Sequence, residues 1–94
     1  MNIVWSPRAV GHLRQIREYI AEDDPRAAAR VAETILASVE LLALQPSMGR
    51  PGRFPGTREL VVTGTPCIIP YRVRGQRLEL IAVFHGRQKW PRRL

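Results

Sequence analysis

Apolar residues recur along this chain with two different periods, and the switch between them divides it. After a short strand-like opening at Asn2–Val4, the residues Ala9, Leu13, Ile16 and Ile20 recur at the spacing of one helical face. Arg14, Arg17 and Glu18 fall away from that face. Ser6 followed by Pro7 is a helix-start signal: a hydroxyl to cap the first turn, then a proline where a missing N–H costs nothing. The pattern predicts a helix from Pro7 to about Glu22. Asp24 and Pro25 repeat the signal, and Ala28, Val31, Ala32, Ile35, Val39 and Leu42 carry the same period to about Leu44, where Gln45 and Pro46 stop it. A connection this short makes the two helices an antiparallel hairpin, and the small side chains of Ala27, Ala28 and Ala29 permit close packing.

From Ser47 to Gly56 the pattern breaks into Gly49, Pro51, Gly52, Pro55 and Gly56 with Arg50 and Arg53, which reads as a loop. Three strand-like runs follow: Thr57–Val62, Cys67–Val73 and Arg77–Phe84. Thr63-Gly64-Thr65-Pro66 and Arg74-Gly75-Gln76 turn the chain between them. Pro70 has no N–H to give a ladder, so a bulge or an unpaired position is expected there. The expected architecture is one domain over residues 1–94, α+β in class, in the order β-α-α-β-β-β. The helical hairpin packs on one face of a mainly antiparallel four-stranded sheet.

Charge adds an asymmetry that the apolar pattern does not show. The chain carries a formal net charge of +7. Met1–Ser47 sum to −1 and Met48–Leu94 to +8, so the positive charge belongs to the sheet-and-tail half. Such a field attracts nucleic acid phosphates or an acidic protein partner. The apolar runs fall far short of the ~20 residues that span a bilayer, so no membrane role is expected. The first residues lack the basic and apolar regions of a secretory signal, and the lone Cys67 sits in an apolar stretch, where a buried thiol and a cytoplasmic setting are expected.

The candidate chemistry lies in the basic half. Glu59 and His85 are its general acid–base candidates, and Arg53, Arg58 and Arg87 are candidates to neutralise a phosphate in a transition state. On an antiparallel sheet these five can approach one edge, with the Arg74 hairpin at the opposite end. Weighed alone, Glu59 also reads as an ion-pair partner and His85 as a strand terminator. Arg50, Arg72, Lys89, Trp90, Arg92 and Arg93 are candidates for contacting nucleic acid. Trp5 reads as core, and His12, on a charged helix surface, is given no role. There is no metal-ligand spacing, no phosphate-binding glycine loop and no Ser-His-Asp set, so neither a metal nor a cofactor is expected.

Taken in order, several segments resemble the RelE/ParE superfamily of bacterial type II toxin–antitoxin toxins. They are Trp5-Ser6-Pro7, Ile16-x-x-Tyr19-Ile20-Ala21, Pro46-x-Met48-Gly49-Arg50, Gly56-Thr57-Arg58-Glu59-Leu60-Val61-Val62, Tyr71-Arg72-Val73 and Val83-Phe84-His85-Gly86-Arg87-Gln88. The resemblance spans nearly the whole chain. It implies the fold above, a growth-arresting toxin and a cognate antitoxin, an acidic segment that folds as it wraps the toxin. It also implies one of two modes. RelE-like members enter the ribosomal A site and cleave mRNA, whereas ParE-like members poison DNA gyrase and need no nuclease site. Ile68 stands where several RelE-like nucleases have arginine, and Trp90 stands nearest to where many have a catalytic tyrosine. The Met48-Gly49 segment and the His85-x-Arg87 ending look at least as ParE-like. The +8 half and the five candidates Arg53, Arg58, Glu59, His85 and Arg87 lean the reading towards ribosome-dependent mRNA cleavage. Gyrase inhibition is the alternative, and a basic binding module without toxicity stands third.

Overall fold

Both helix-start signals act as the sequence predicts. In the computed structural model, which describes residues 1–94, β1 (Asn2–Trp5) leads into helix α1 (Pro7–Ala21). The Ser6 hydroxyl caps α1 by accepting a hydrogen bond from the Ala9 N–H at 3.0 Å. Helix α2 (Pro25–Leu44) is capped in the same way, with Asp24 Oδ1 accepting from the N–H groups of Arg26 and Ala27, each at 3.1 Å. Each cap satisfies first-turn donors that have no partner within the helix. The buried residues of α2 are Ala28, Ile35, Val39, Leu42 and Ala43, one stripe at helical spacing. Ile35, Val39, Leu42 and Ala43 of that stripe join Ala9, Leu60, Val62, Cys67, Ile69, Tyr71, Leu78, Leu80 and Val83 in the core, with Ile3, Trp5, Leu13, Ile16 and Val31 packed against it.

The sheet has six strands where four were expected. Two residues of the predicted loop form β2 (Arg50–Pro51), which pairs with β3 (Arg58–Val61). The predicted run Arg77–Phe84 is split into β5 (Arg77–Leu80) and β6 (Phe84–His85). The strand order is β1-β5-β4-β3-β2, with β6 also pairing to β4 (Cys67–Arg74). All pairs are antiparallel except β1 with β5.

Pro70 explains the split. Its carbonyl accepts from the Ile81 N–H at 2.9 Å, so the side of β4 on which it lacks a donor is the β5–β6 side. Tyr71 pairs with Leu80, but Ile68 pairs with Phe84, so one extra residue is inserted between β5 and β6. This is a one-residue bulge. Residues of α1 and its cap engage the backbone freed there: the Ser6 hydroxyl donates to the Ile81 carbonyl at 2.8 Å, and His12 Nδ1 accepts from the Val83 N–H at 3.2 Å.

The end of α2 is tied to the sheet by Tyr71, which is fully buried. Its hydroxyl donates to the Pro46 carbonyl at 2.7 Å and accepts from the Gly49 N–H at 2.9 Å. A Cβ at position 49 would overlap the Tyr71 ring and hydroxyl, which requires glycine there. Burial pushes the Tyr71 hydroxyl above the ordinary phenol value, against the smaller opposing effects of the Gly49 N–H and the Arg58 charge. No helix is long and apolar enough to cross a membrane.

Candidate functional site

Side chains alternate between the two faces of a sheet, so register decides which candidates meet. On β4, Cys67, Ile69 and Tyr71 point toward the helices, while Ile68, Pro70, Arg72 and Arg74 point away. Glu59 pairs with Pro70 and therefore lies on the helix-free face. Arg72 pairs with Glu79 and Arg74 with Arg77, which puts all four on that same face. Two carboxylates ringed by arginines result.

Around Glu59 the ring is closed. Its side chain is only 3% exposed. Oε1 accepts from Arg50 Nε at 3.1 Å and Nη2 at 3.0 Å. Oε2 accepts from the Arg53 backbone N–H at 2.9 Å and lies 3.3 Å from Arg53 Nε. The Arg53 guanidinium in turn sits 3.6 Å from the centre of the Trp90 ring, a cation–π contact. Trp90 packs on Phe84 at 4.6 Å between ring centres, and Phe84 on His12 at 5.3 Å. The Trp90 indole N–H is enclosed without an acceptor. This chain of contacts pins the tail across the helix-free face and runs on to α1. Trp90, a candidate for contacting nucleic acid, is therefore half-buried beneath Arg53.

Around Glu79 the ring is more open. Oε1 lies 3.3 Å from Arg72 Nε and 3.4 Å from Arg74 Nε, and Oε2 lies 3.0 Å from Arg77 Nη2. Three guanidinium groups share one carboxylate. A cleft of about 260 Å³ beside them is lined by Val4, Ser6, Arg72, Arg77, Glu79, Leu80 and Ile81.

The five residues expected to share an edge are divided between the faces. Arg53 and Glu59 are together on the helix-free face. Arg58 pairs with Tyr71 on the helix side, where its Nη1 donates to the carbonyls of Gly49 at 2.8 Å and Ser47 at 3.3 Å. His85 pairs with Cys67, also on the helix side, and helps to line a cleft with Gln15, Ile16, Tyr19, Ile20 and Pro66. Its Nδ1 accepts from the Arg87 N–H at 3.1 Å, and its own N–H donates to Gln88 Oε1 at 3.1 Å. Arg87, Lys89, Arg92 and Arg93 are exposed on the tail. No three His, Cys, Asp or Glu side chains converge.

His12 is the residue whose place the sequence reading missed. It supports the bulge and the Phe84–Trp90 stack rather than facing solvent among charges. Burial, and then the charge of Arg8, hold its imidazole below the ordinary value. Arg74 and Arg77, basic residues of the last hairpin that the sequence gives no site role, join the cluster as well. Their alternation with Arg72 and Glu79 on facing strands is a legible sign of a common face. Cys67 is buried, as expected, and burial raises its thiol above the ordinary value against a smaller opposing effect from Thr65.

Comparison with known proteins fits this geometry to a family. Residues 3–90 match the model of the ParE toxin of the type II toxin–antitoxin system, parDE. A Sinorhizobium fredii protein named as a toxin, Y4kP, is 48% identical over 90 residues, covering 96% of this chain and 93% of its own. Toxin RelE2 of Caulobacter vibrioides is 35% identical over 85 residues, covering 90% of this chain and 94% of its own. Among solved structures, a chain from the chromosomal ParDE toxin–antitoxin system of P. aeruginosa superposes with a TM-score of 0.82 at 26% identity, over 90% of this chain and 95% of that one. The chain belongs to the ParE toxin family, within the RelE/ParE superfamily of type II toxin–antitoxin toxins, and the system implies an antitoxin partner.

Proposed function

We propose that this toxin arrests growth by inhibiting DNA gyrase through binding, without cleaving RNA itself. The observation that carries this reading is the separation of the two acid–base candidates named from the sequence. Glu59 and His85 lie on opposite faces of the sheet, and both Glu59 oxygens are already engaged by Arg50 and Arg53. General acid–base cleavage needs both groups within hydrogen-bond reach of one ribose phosphate. Binding to a protein–DNA complex needs only a shaped cationic surface, and the sheet-and-tail half provides one.

Ribosome-dependent mRNA cleavage is the second reading. It draws on the similarity to the RelE-named Caulobacter protein and on His85, whose Nδ1 is occupied by the Arg87 N–H while its ring borders the Tyr19 cleft. In that reading His85 and Arg87 act at the phosphate, while Arg53 and Arg58 shape the surface and the buried Glu59 holds Arg53 in place.

Purified toxin, assayed side by side on gyrase and on programmed ribosomes, separates the two. The expected result is loss of supercoiling with intact mRNA. Cleaved mRNA that becomes resistant in Arg87→Ala, with supercoiling unaffected, would replace the first reading by the second. Normal growth at confirmed expression, with neither target affected, would sink both.

A further inference from the structure

We infer that the Arg72–Arg74–Arg77–Glu79 cluster and the cleft beside it form a phosphate-binding site for the backbone of duplex DNA. Three guanidinium groups meet one carboxylate here, so the cluster keeps a local charge of +2. The side chains of Arg72, Arg74 and Arg77 are 43%, 62% and 57% exposed, so this charge is presented to solvent. Arg72 Nε is enclosed and makes no well-aligned hydrogen bond, although Glu79 Oε1 lies 3.3 Å away. A donor in this state gains from an anion that reorients the guanidinium, and the planar arginine fork matches phosphate oxygens. The cleft is lined by Arg72 and Arg77 and by Ser6 at the start of α1, whose positive dipole end adds to the field.

Arg50, Arg53 and Glu59 lie on the same face, on the other side of β4. With ordinary strand spacing and rise, the two carboxylate-bearing residues are about 12 Å apart. A B-DNA duplex presents roughly seven phosphate charges over that axial length. One duplex lying on the helix-free face therefore reaches both rings. The one aromatic residue tied to these arginines, Trp90, is already covered by Arg53, so the face offers backbone contacts rather than the exposed stacking platform of a single-strand binder.

The test uses the full-length chain and a short, mixed-sequence DNA duplex, read by fluorescence anisotropy over a salt series. Arginine Nε–H resonances are followed in the same titration. Arg72→Gln/Arg77→Gln is expected to weaken binding at least tenfold and to reduce the salt slope by about 1.8, the value for two lost phosphate contacts. Glu79→Gln is expected to tighten binding several-fold, an effect that mere damage to the fold would not produce. In the parent protein the duplex should move the Arg72 and Arg77 signals more than inorganic phosphate does at equal phosphate concentration. Equal shifts would assign the site to free phosphate and overturn the proposal. So would unchanged binding in a double variant that melts like the parent, or unmoved arginine signals. No gyrase is present in this experiment, so its failure leaves the gyrase reading to stand or fall separately.

Discussion

Glu59 and Glu79 lie on one face of the sheet, on strands either side of β4 and two residues apart in register, yet they do opposite things with their arginines. Glu59 is enclosed, with both oxygens saturated by well-aligned donors, and two cations leave its ring one positive charge, against two at Glu79. Glu79 is more open and carries three cations through ion pairs alone. A buried carboxylate with good donors holds structure together, whereas ion pairs to exposed arginines add little stability and mainly moderate charge. The sheet thus uses one motif twice, once as a rivet and once as a charged surface.

The largest effect should come from removing the rivet. Glu59→Gln is expected to lower stability by about 2–3 kcal/mol, since it weakens several charge-assisted hydrogen bonds at once. For a chain of this size that is a fall of roughly 10–20 °C in Tm by calorimetry. Glu79→Gln should change stability by under about 1 kcal/mol. Equal losses would abolish the distinction. Next comes Tyr71→Phe, which leaves the Gly49 N–H and the Pro46 carbonyl without their partner and should cost about 1–2 kcal/mol in urea denaturation. Gly49 adjoins Arg50, so this variant asks whether the Glu59 ring depends on the anchor below it.

Smaller effects refine the picture. Arg53→Ala should cost about 0.5–1 kcal/mol and shift Trp90 emission to the red as the ring is uncovered. An unchanged spectrum would mean that Arg53 does not cover Trp90 in solution. The pH response separates both rings from the α1 contact. The native His12 imidazole binds a proton less readily than the ordinary value of 6.5, because burial penalises its charged form. As pH falls through 6.5 the unfolded chain takes up that proton first, so this contribution to stability is complete above 6.5 and declines below it. Protonation of Nδ1 also removes the acceptor for the Val83 N–H. His12→Gln should flatten the decline in a thermal-melt series, and an unaltered slope would remove His12 from the account.

The helices and their caps were legible because Ser6-Pro7 and Asp24-Pro25 act locally, within one turn. The order of the long strands was legible for the same reason. The grouping of the site was not. The run Arg77–Phe84 reads as one uninterrupted strand, and continuing its pairing from Tyr71–Leu80 would set His85 opposite Pro66, on the same face as Glu59. The inserted residue shifts His85 to pair with Cys67 and turns it to the helix side. Pro70 hinted that a bulge was needed, but the residue that absorbs it, and hence the face His85 takes, depends on Ser6 and His12, far away in sequence. The closed ring at Glu59 was similarly hidden, because Arg53 reaches it through its backbone N–H as well as its side chain.

The interruption at Ile81–Val83 also divides the sheet's cooperativity. β5 is held on both sides, by four residue pairs to β1 and four to β4, whereas β6 is held by two pairs to β4. Segments with fewer pairings open at lower free energy and can do so separately from the rest. The amides of Phe84 and His85 should therefore exchange with solvent faster than those of Leu78 and Leu80. Opening confined to β6 would free Phe84 from Trp90 and so loosen the tail's hold beneath Arg53 while the pairing of β5 stays closed.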